Sequence, residues 1–421
     1  MYEKITLDNG LRLIIAPMPA TRSVAINFFI GTGSRYEDDG EAGVSHFIEH
    51  MCFKGTAKHP TPIEISSVIE GVGGILNAGT DKELTVYYCK VAQPHFKQAL
   101  DVMADILFNS KFEPGEMEKE RQVIIEEINM SLDLPQARVS MLLDDIMWPG
   151  HPLGRDIAGS RESVNGITRE LMLDYMAEQY EPENVVLAIA GAIDKDETIK
   201  AVGEAVAGWT KKRQPLKYQP YTEKPIGRRV AVEKRPSEQT QMCLALPGVS
   251  LVHPDRFKLD LLNIILGEGM SSRLFTEIRD KLGLAYSIQS YAEHFLDAGA
   301  MVVSAGVENK NVDVSIKAIT AELNRLKEGI PEAEVNRAKE LFKGRIYLRM
   351  EDSRSVASWT GTQEILMNKV QTMDEVIAKV NAVSVEDLYK IAKEYAVGEK
   401  LHLAAVGQID PDKDWEGLLK I

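Results

Sequence analysis

Two histidines and a glutamate stand close together in Val44-Ser-His46-Phe-Ile-Glu49-His50-Met-Cys-Phe53. His46 and His50 are at i and i+4, which on a helix places them on one face, a turn apart. Imidazoles so placed can share one metal ion at about 2.0–2.1 Å from each nitrogen. Glu49 is at i+3 from His46, and at about 100° per residue it falls on the same face. A carboxylate there can take a proton from a metal-activated water. A surface helix could also carry two histidines. Only eight histidines occur in 421 residues, however, so their clustering around Glu49 favours metal chemistry.

A catalytic zinc takes three protein ligands and keeps one open position. The third ligand must come from outside this motif. Residues 116–128 read as a helix with apolar positions at Val123, Ile124 and Ile128. Glu120 and Glu127 are seven apart and share a face. Val123 and Ile124 lie between them, so that face is expected to be mostly buried. A carboxylate on a buried face needs a partner, and a metal ion is one. A solvated acidic helix edge explains the same residues equally well.

The elements that must position these groups recur along the chain. Val164-Asn-Gly-Ile-Thr, a helical stretch and then 185–194 are matched by Val380-Asn-Ala-Val-Ser, a helical stretch and then 401–410. Strand 85–91 with helix 96–107 is matched by strand 301–307 with helix 312–326. Two copies of a unit this long mean two similar domains and not a solenoid. The turn Asp8-Asn9-Gly10 before 11–15 predicts a hairpin. Residues 24–30 read as a buried strand, and the spacing predicts helices over 96–108, 116–130, 317–326 and 333–350. Ser384-Val-Glu-Asp387 reads as a capping-box start. The expected fold is α+β, with a largely antiparallel sheet packed with helices in each half. The expected domains are 1–210, which carries the metal motif, and 228–421. The charged, proline-bearing segment 211–227 is the expected linker.

Composition narrows the function. A length of 421 residues exceeds one comfortable core. A net charge of -14 argues against broad nucleic-acid binding, which needs a basic face. That charge is compatible with basic peptides, though plain solubility is the simpler reading of it. Three scattered cysteines give no disulfide framework and no paired-cysteine zinc site. No apolar run reaches the roughly 18 residues of a membrane span. The start MYEKITLDNG has no apolar signal core, so a cytoplasmic location is expected.

Together, His46-Phe-Ile-Glu49-His50 and Glu127 downstream resemble the inverzincin signature of the pitrilysin/insulysin zinc peptidases. The neighbouring text is similar too: Gly31-Thr-Gly-Ser-Arg-Tyr-Glu37, Phe53-Lys-Gly-Thr56, Asn77-Ala-Gly-Thr80 and Glu83-Leu-Thr-Val-Tyr87. The nearest branch resembles the mitochondrial processing peptidase β subunits and their bacterial relatives. The likeness spans nearly the whole chain.

The resemblance implies a zinc metalloendopeptidase with Zn2+ on His46, His50 and Glu127, Glu49 as general base, and Glu120 supporting a ligand. It implies that a peptide substrate adds as a strand beside Asn77 and Ala78, with Phe53 lining the pocket after the scissile bond. In the second half, Arg279 and Tyr286 match the family's pair that holds substrate backbone and stabilises the tetrahedral intermediate. Taken alone, that pair would read as a helix-end salt bridge and a packed aromatic. A homodimer forming a closed chamber is implied, because longer family members carry four such domains in one chain. Downstream of Glu127, Ser131-Leu-Asp-Leu-Pro135-Gln departs from the acidic pattern that reads arginine in the eukaryotic subunit, with Asp144 and Asp145 nearby. The resemblance thus implies cleavage of extended peptides or presequence-like segments, and this departure leaves the choice between them open. The competing expectation is a non-catalytic structural homologue, like the core proteins of the cytochrome bc1 complex, whose metal motifs are eroded.

Overall fold

The computed structural model describes residues 2–210, 213–223 and 227–421. The N-terminal half runs β1 (Glu3–Thr6), β2 (Arg12–Pro17), β3 (Ser23–Ile30), α1 (Val44–Cys52), α2 (Pro62–Glu70), β4 (Ile75–Thr80), β5 (Thr85–Ala92), α3 (Phe96–Phe108), α4 (Pro114–Asp133), α5 (Pro135–Met147), α6 (Arg161–Gly166), α7 (Arg169–Gln179), β6 (Val185–Gly191) and α8 (Lys195–Ala205). The C-terminal half runs β7 (Val230–Lys234), β8 (Gln239–Pro247), α9 (Arg256–Gly267), a π-helical turn at Phe275–Lys281, β9 (Ala285–His294) and β10 (Gly299–Glu308). It continues through α10 (Val312–Glu328), α11 (Glu332–Arg349), α12 (Ser353–Met367), α13 (Met373–Ala382), α14 (Val385–Tyr395) and β11 (His402–Gly407).

The strand orders are β1-β2-β6-β3-β5-β4 and β7-β11-β8-β10-β9. With β1 set aside they correspond position by position, which is the structural form of the sequence repeat. The β2–β6 and β7–β11 pairings are parallel, and the other ladders are antiparallel. Side-chain patterns account for the positions. All seven residues of β6 are buried, as a central strand covered on both faces requires. In β5, Thr85, Tyr87, Cys89 and Val91 point inward in strict alternation. β4 is the sheet's edge and is only half-buried. The Asp8-Asn9-Gly10 turn joins β1 to β2, and Ser384 caps α14 in a capping box with Asp387.

The compact units are not contiguous in sequence. One comprises Met1–Ile128, Arg155–Gln219 and Tyr347–Thr372; the other comprises Asn129–Gly154, Pro220–Ile346 and Met373–Ile421. The expected split at 211–227 separates the two sheets but must be corrected for the helices. α12, from the C-terminal half, covers β3 and β6, while α5, from the N-terminal half, covers β8 and β11. The reason is that both faces of each sheet are apolar. In β8, Met242, Leu244 and Leu246 face α9, α10 and α14, while Cys243 and Ala245 face α5. Residues 211–212 and 224–226 of the expected linker lie outside the described residues. Its 213–219 part belongs to the first unit, where Tyr218 stacks under Arg35 and against Tyr36. Tyr221 belongs to the second unit and packs on Trp148.

Within the first unit, α12 fits closely. Its Ser353 and Ser358 hydroxyls meet Ser23 Oγ and Asn27 Nδ2 at 3.1 Å each. A Cβ at Gly361 would lie 2.1 Å from the Phe29 ring. The buried Glu364 pairs with Lys4 at 2.7 Å and Arg12 at 3.2 Å. All three cysteines are free and buried. Among the described residues, no helix is long and apolar enough to cross a membrane.

Candidate metal centre

α1 carries the His-x-x-Glu-His residues. Phe47, Ile48, Met51 and Cys52 bury its inner face completely. Its N-cap is Gly43, at φ 94°, where a Cβ would meet the Ala158 carbonyl at 2.4 Å. A left-handed cap so confined calls for glycine. Gly43 has no side chain with which to satisfy the first-turn amides, and Glu37 does this instead. Its two carboxylate oxygens accept from Gly43 N–H and Ser45 N–H, both at 2.8 Å. Burial, partly offset by these bonds, raises the Glu37 pKa.

The half-buried His46 and His50 rings lie with centroids 4.5 Å apart and their Nε2 atoms 3.2 Å apart. α4 brings two carboxylates to them. Glu120 Oε1 lies 2.8 Å from His50 Nδ1. Glu127 Oε2 lies 3.7 Å from His50 Nε2 and 3.9 Å from His46 Nε2. One ligand atom from each of His46, His50 and Glu127 fits within 4.8 Å of the others. A proton on His50 Nδ1, donated to Glu120, leaves the Nε2 lone pair of the neutral ring facing His46 and Glu127. Two imidazole nitrogens and a carboxylate oxygen converging this way fit a divalent cation.

The surrounding charges act in opposite directions on the two rings. Burial, with His50 adding to it, lowers the His46 pKa to about 4, so that ring stays neutral, as a metal ligand must. Burial opposes charge on His50, but the Glu120 bond, with Glu127 and Glu49, raises its pKa. Burial pushes Glu120 up, while its bonds from His50 and from Lys54 Nζ at 2.6 Å outweigh that and lower it. Burial raises the Glu49 pKa despite a hydrogen bond from Thr80 Oγ1 to Oε2 at 2.6 Å.

Of the expected residues, His46, His50 and Glu127 come together here, with Glu120 against His50 and Glu49 on the same helix, and one expectation is corrected. The face between Glu120 and Glu127 is not uniformly buried. Ile124 is buried, but Val123 is 44% exposed and the Glu127 side chain 39% exposed. Glu127 is thus partly open to solvent. Asn77 and Ala78 lie on β4 opposite Tyr88 and Tyr87, with Asn77 exposed. Phe53 ends α1, its ring 6.2 Å from that of Tyr87. Arg279 and Tyr286 lie in the second unit, the guanidinium 5.6 Å from the Tyr286 ring and 4.8 Å from that of Phe275, with Tyr286 76% exposed. Three residues here were given no role by sequence: Glu37, Lys54 and Thr80. Each sits in a stretch that resembles the family text, which was the available signal.

Comparisons with known proteins agree with this geometry. Residues 12–161 match the family model for insulinase (peptidase family M16), and residues 166–342 match that for the peptidase M16 inactive domain. The Bacillus subtilis protein named uncharacterized zinc protease YmxG is 37% identical over 398 residues, covering 94% of this chain and 95% of its own. A protease from Helicobacter pylori superposes with a TM-score of 0.90 at 24% identity, over 97% of this chain and 99% of the other. A chain of complex III2 from Candida albicans superposes at 0.83 and 21%, over the full length of both. The sequence match along nearly its whole length shows that this chain belongs to the M16 family of peptidases.

Proposed function

We propose that this chain is a zinc-dependent endopeptidase that cuts extended peptides, with His46, His50 and Glu127 holding the metal and Glu49 acting as general base. The observation that carries the reading is the convergence of one ligand atom from each of those three residues within 4.8 Å, with Glu49 on the same helix. When bound, zinc supplies Lewis acidity, polarising the scissile carbonyl and acidifying a water. Glu120 and Lys54 fix the tautomer and plane of His50. Glu49 takes the water's proton at its carboxylate and returns it to the leaving amine. The raised Glu49 pKa brings it nearer the working pH of a base. β4 has no further strand on its outer side among the described residues, and an extended peptide would add there as a strand at Asn77 and Ala78, displacing the Asn77 side chain from the Ala78 amide that it caps at 2.8 Å. Phe53 would line the pocket after the scissile bond. Arg279 and Tyr286 would bind substrate backbone, and a homodimer would bring two chains around one chamber.

A non-catalytic role is the second reading, prompted by the match of residues 166–342 to the family model described as the peptidase M16 inactive domain. One experiment separates them. Purified protein is reconstituted with zinc, assayed for metal content, and incubated with a mixed peptide library with and without chelator. About one zinc per chain and chelator-sensitive cleavage are expected. Glu49→Gln should keep the zinc and lose about 10²–10⁴-fold in turnover. Negligible zinc, or full activity in Glu49→Gln, refutes the reading.

A further inference from the structure

The Thr80 hydroxyl donates to Glu49 Oε2 at 2.6 Å. Thr80 is the last residue of β4, paired with Thr85 across the tight turn into β5. A glutamate side chain turns about three bonds, and a general base must lie about 2.6–3.2 Å from the proton it takes. Packing confines the α1 backbone, and the half-buried Glu49 carboxylate is held by Thr80, through its hydroxyl and its backbone amide. We propose that Thr80 is a positioning residue for Glu49, its hydroxyl fixing one carboxylate oxygen so that the other meets the attacking water in one orientation. The inference rests on the reading of Glu49 as the base.

Two features of Thr80 suit this role. Its branched Cβ restricts χ1, so the β4 backbone largely sets the direction of the hydroxyl. β4 is also the sheet edge at which an extended peptide would pair. Peptide and base would then take their positions from the same strand, and the reacting carbonyl would be held in register with Glu49.

Thr80→Val keeps the branched shape and removes the donor, whereas Thr80→Ser keeps the donor. Both are compared with wild type and Glu49→Gln for zinc content, thermal midpoint, and kcat and KM on an internally quenched peptide that the wild type cuts. Thr80→Val should bind zinc and melt like wild type, keep KM within about twofold, and lose about tenfold to a hundredfold in kcat, as a misaligned base does. Thr80→Ser should recover most of the kcat. If Thr80→Val melts early, Thr80→Ala carries the same expectations without the added methyl. Unchanged kcat without the hydroxyl, a loss confined to KM, or equal losses in the Val and Ser variants overturns the proposal. Should Glu49→Gln itself stay active, the base assignment fails and this inference with it. An inactive Glu49→Gln beside a fully active Thr80→Val removes the Thr80 inference alone.

Discussion

Replacing Glu37 by glutamine tests how the metal-bearing helix is held. Glu37 is 3% exposed, and its two oxygens accept the N-cap Gly43 amide and the first-turn Ser45 amide of α1 at 2.8 Å. A glutamine oxygen can accept only one of these, and its amide nitrogen must then face the other N–H. Each hydrogen bond to a charged acceptor contributes about 1.5–3 kcal/mol, and removing the buried charge recovers part of that loss. The net cost expected for Glu37→Gln is about 1–3 kcal/mol, with Glu37→Ala costing more because both amides lose their acceptor. His46 is in the first turn of α1, so a frayed turn must reform when metal binds. At about 1.4 kcal/mol per tenfold, zinc affinity in Glu37→Gln should fall by up to about tenfold to a hundredfold. Hydrogen exchange at the Gly43 and Ser45 amides, which reads this turn alone, and zinc competition against a chromophoric chelator measure the two effects.

The pH dependence has a definite sign. The folded pKa of Glu37 is raised above 4.5, so the folded state holds this proton more tightly than the unfolded chain. Stability from that proton is complete below the unfolded pKa and is lost as pH rises through the folded one. Glutamine lacks this term. The margin of wild type over Glu37→Gln should therefore narrow as pH rises from about 4.5 towards neutrality. Unchanged protection of both amides in Glu37→Ala would refute the capping argument, and a margin that widens with pH would refute the raised pKa of Glu37.

Glu120→Gln weakens the orientation of His50 and should lower zinc affinity by about 10–100-fold, read by the same competition assay. Glu127→Gln should lose the metal while Glu126→Gln keeps it; the reverse would move the third ligand by one residue. Gly361→Ala forces a methyl against the Phe29 ring and should destabilise the first unit by about 1–3 kcal/mol or more, seen as a lower thermal midpoint. Mixing inactive Glu49→Gln with inactive Tyr286→Phe should restore part of the activity if Arg279 and Tyr286 act across a homodimer. No recovery despite proven subunit exchange would reject that arrangement.

The metal motif was legible because its information is local: three residues within one and a half turns of a helix. Two strands were legible for a similar reason: 24–30, read as a buried strand, is β3, and 85–91 is β5. The destinations of α5 and α12 were not. An apolar stripe says that a helix covers a surface, not which one, and the two sheets offer equivalent faces. Val123 misled for a related reason. An apolar residue on a helix face predicts burial only when a neighbour covers it, and here Ile124 is covered while Val123 is 44% exposed.

The stretches around the metal motif gain a physical meaning from the same comparison. Arg35 and Glu83 form a buried ion pair that ties the 31–37 loop to the β4–β5 hairpin. Burying such a pair costs desolvation that its attraction barely repays, so stability is a poor reason for it. Geometry is a better one. The loop ends in Glu37, which holds the start of α1, and the hairpin carries Thr80, which holds Glu49 near its end. Arg35–Glu83 closes this circuit by joining the two supports, so displacing either should move the other. Lys54 and Glu120 extend it to His50. Converging ligands need bearings rigid to a fraction of an ångström, and a closed polar circuit beneath α1 supplies that rigidity where apolar packing, being non-directional, does not.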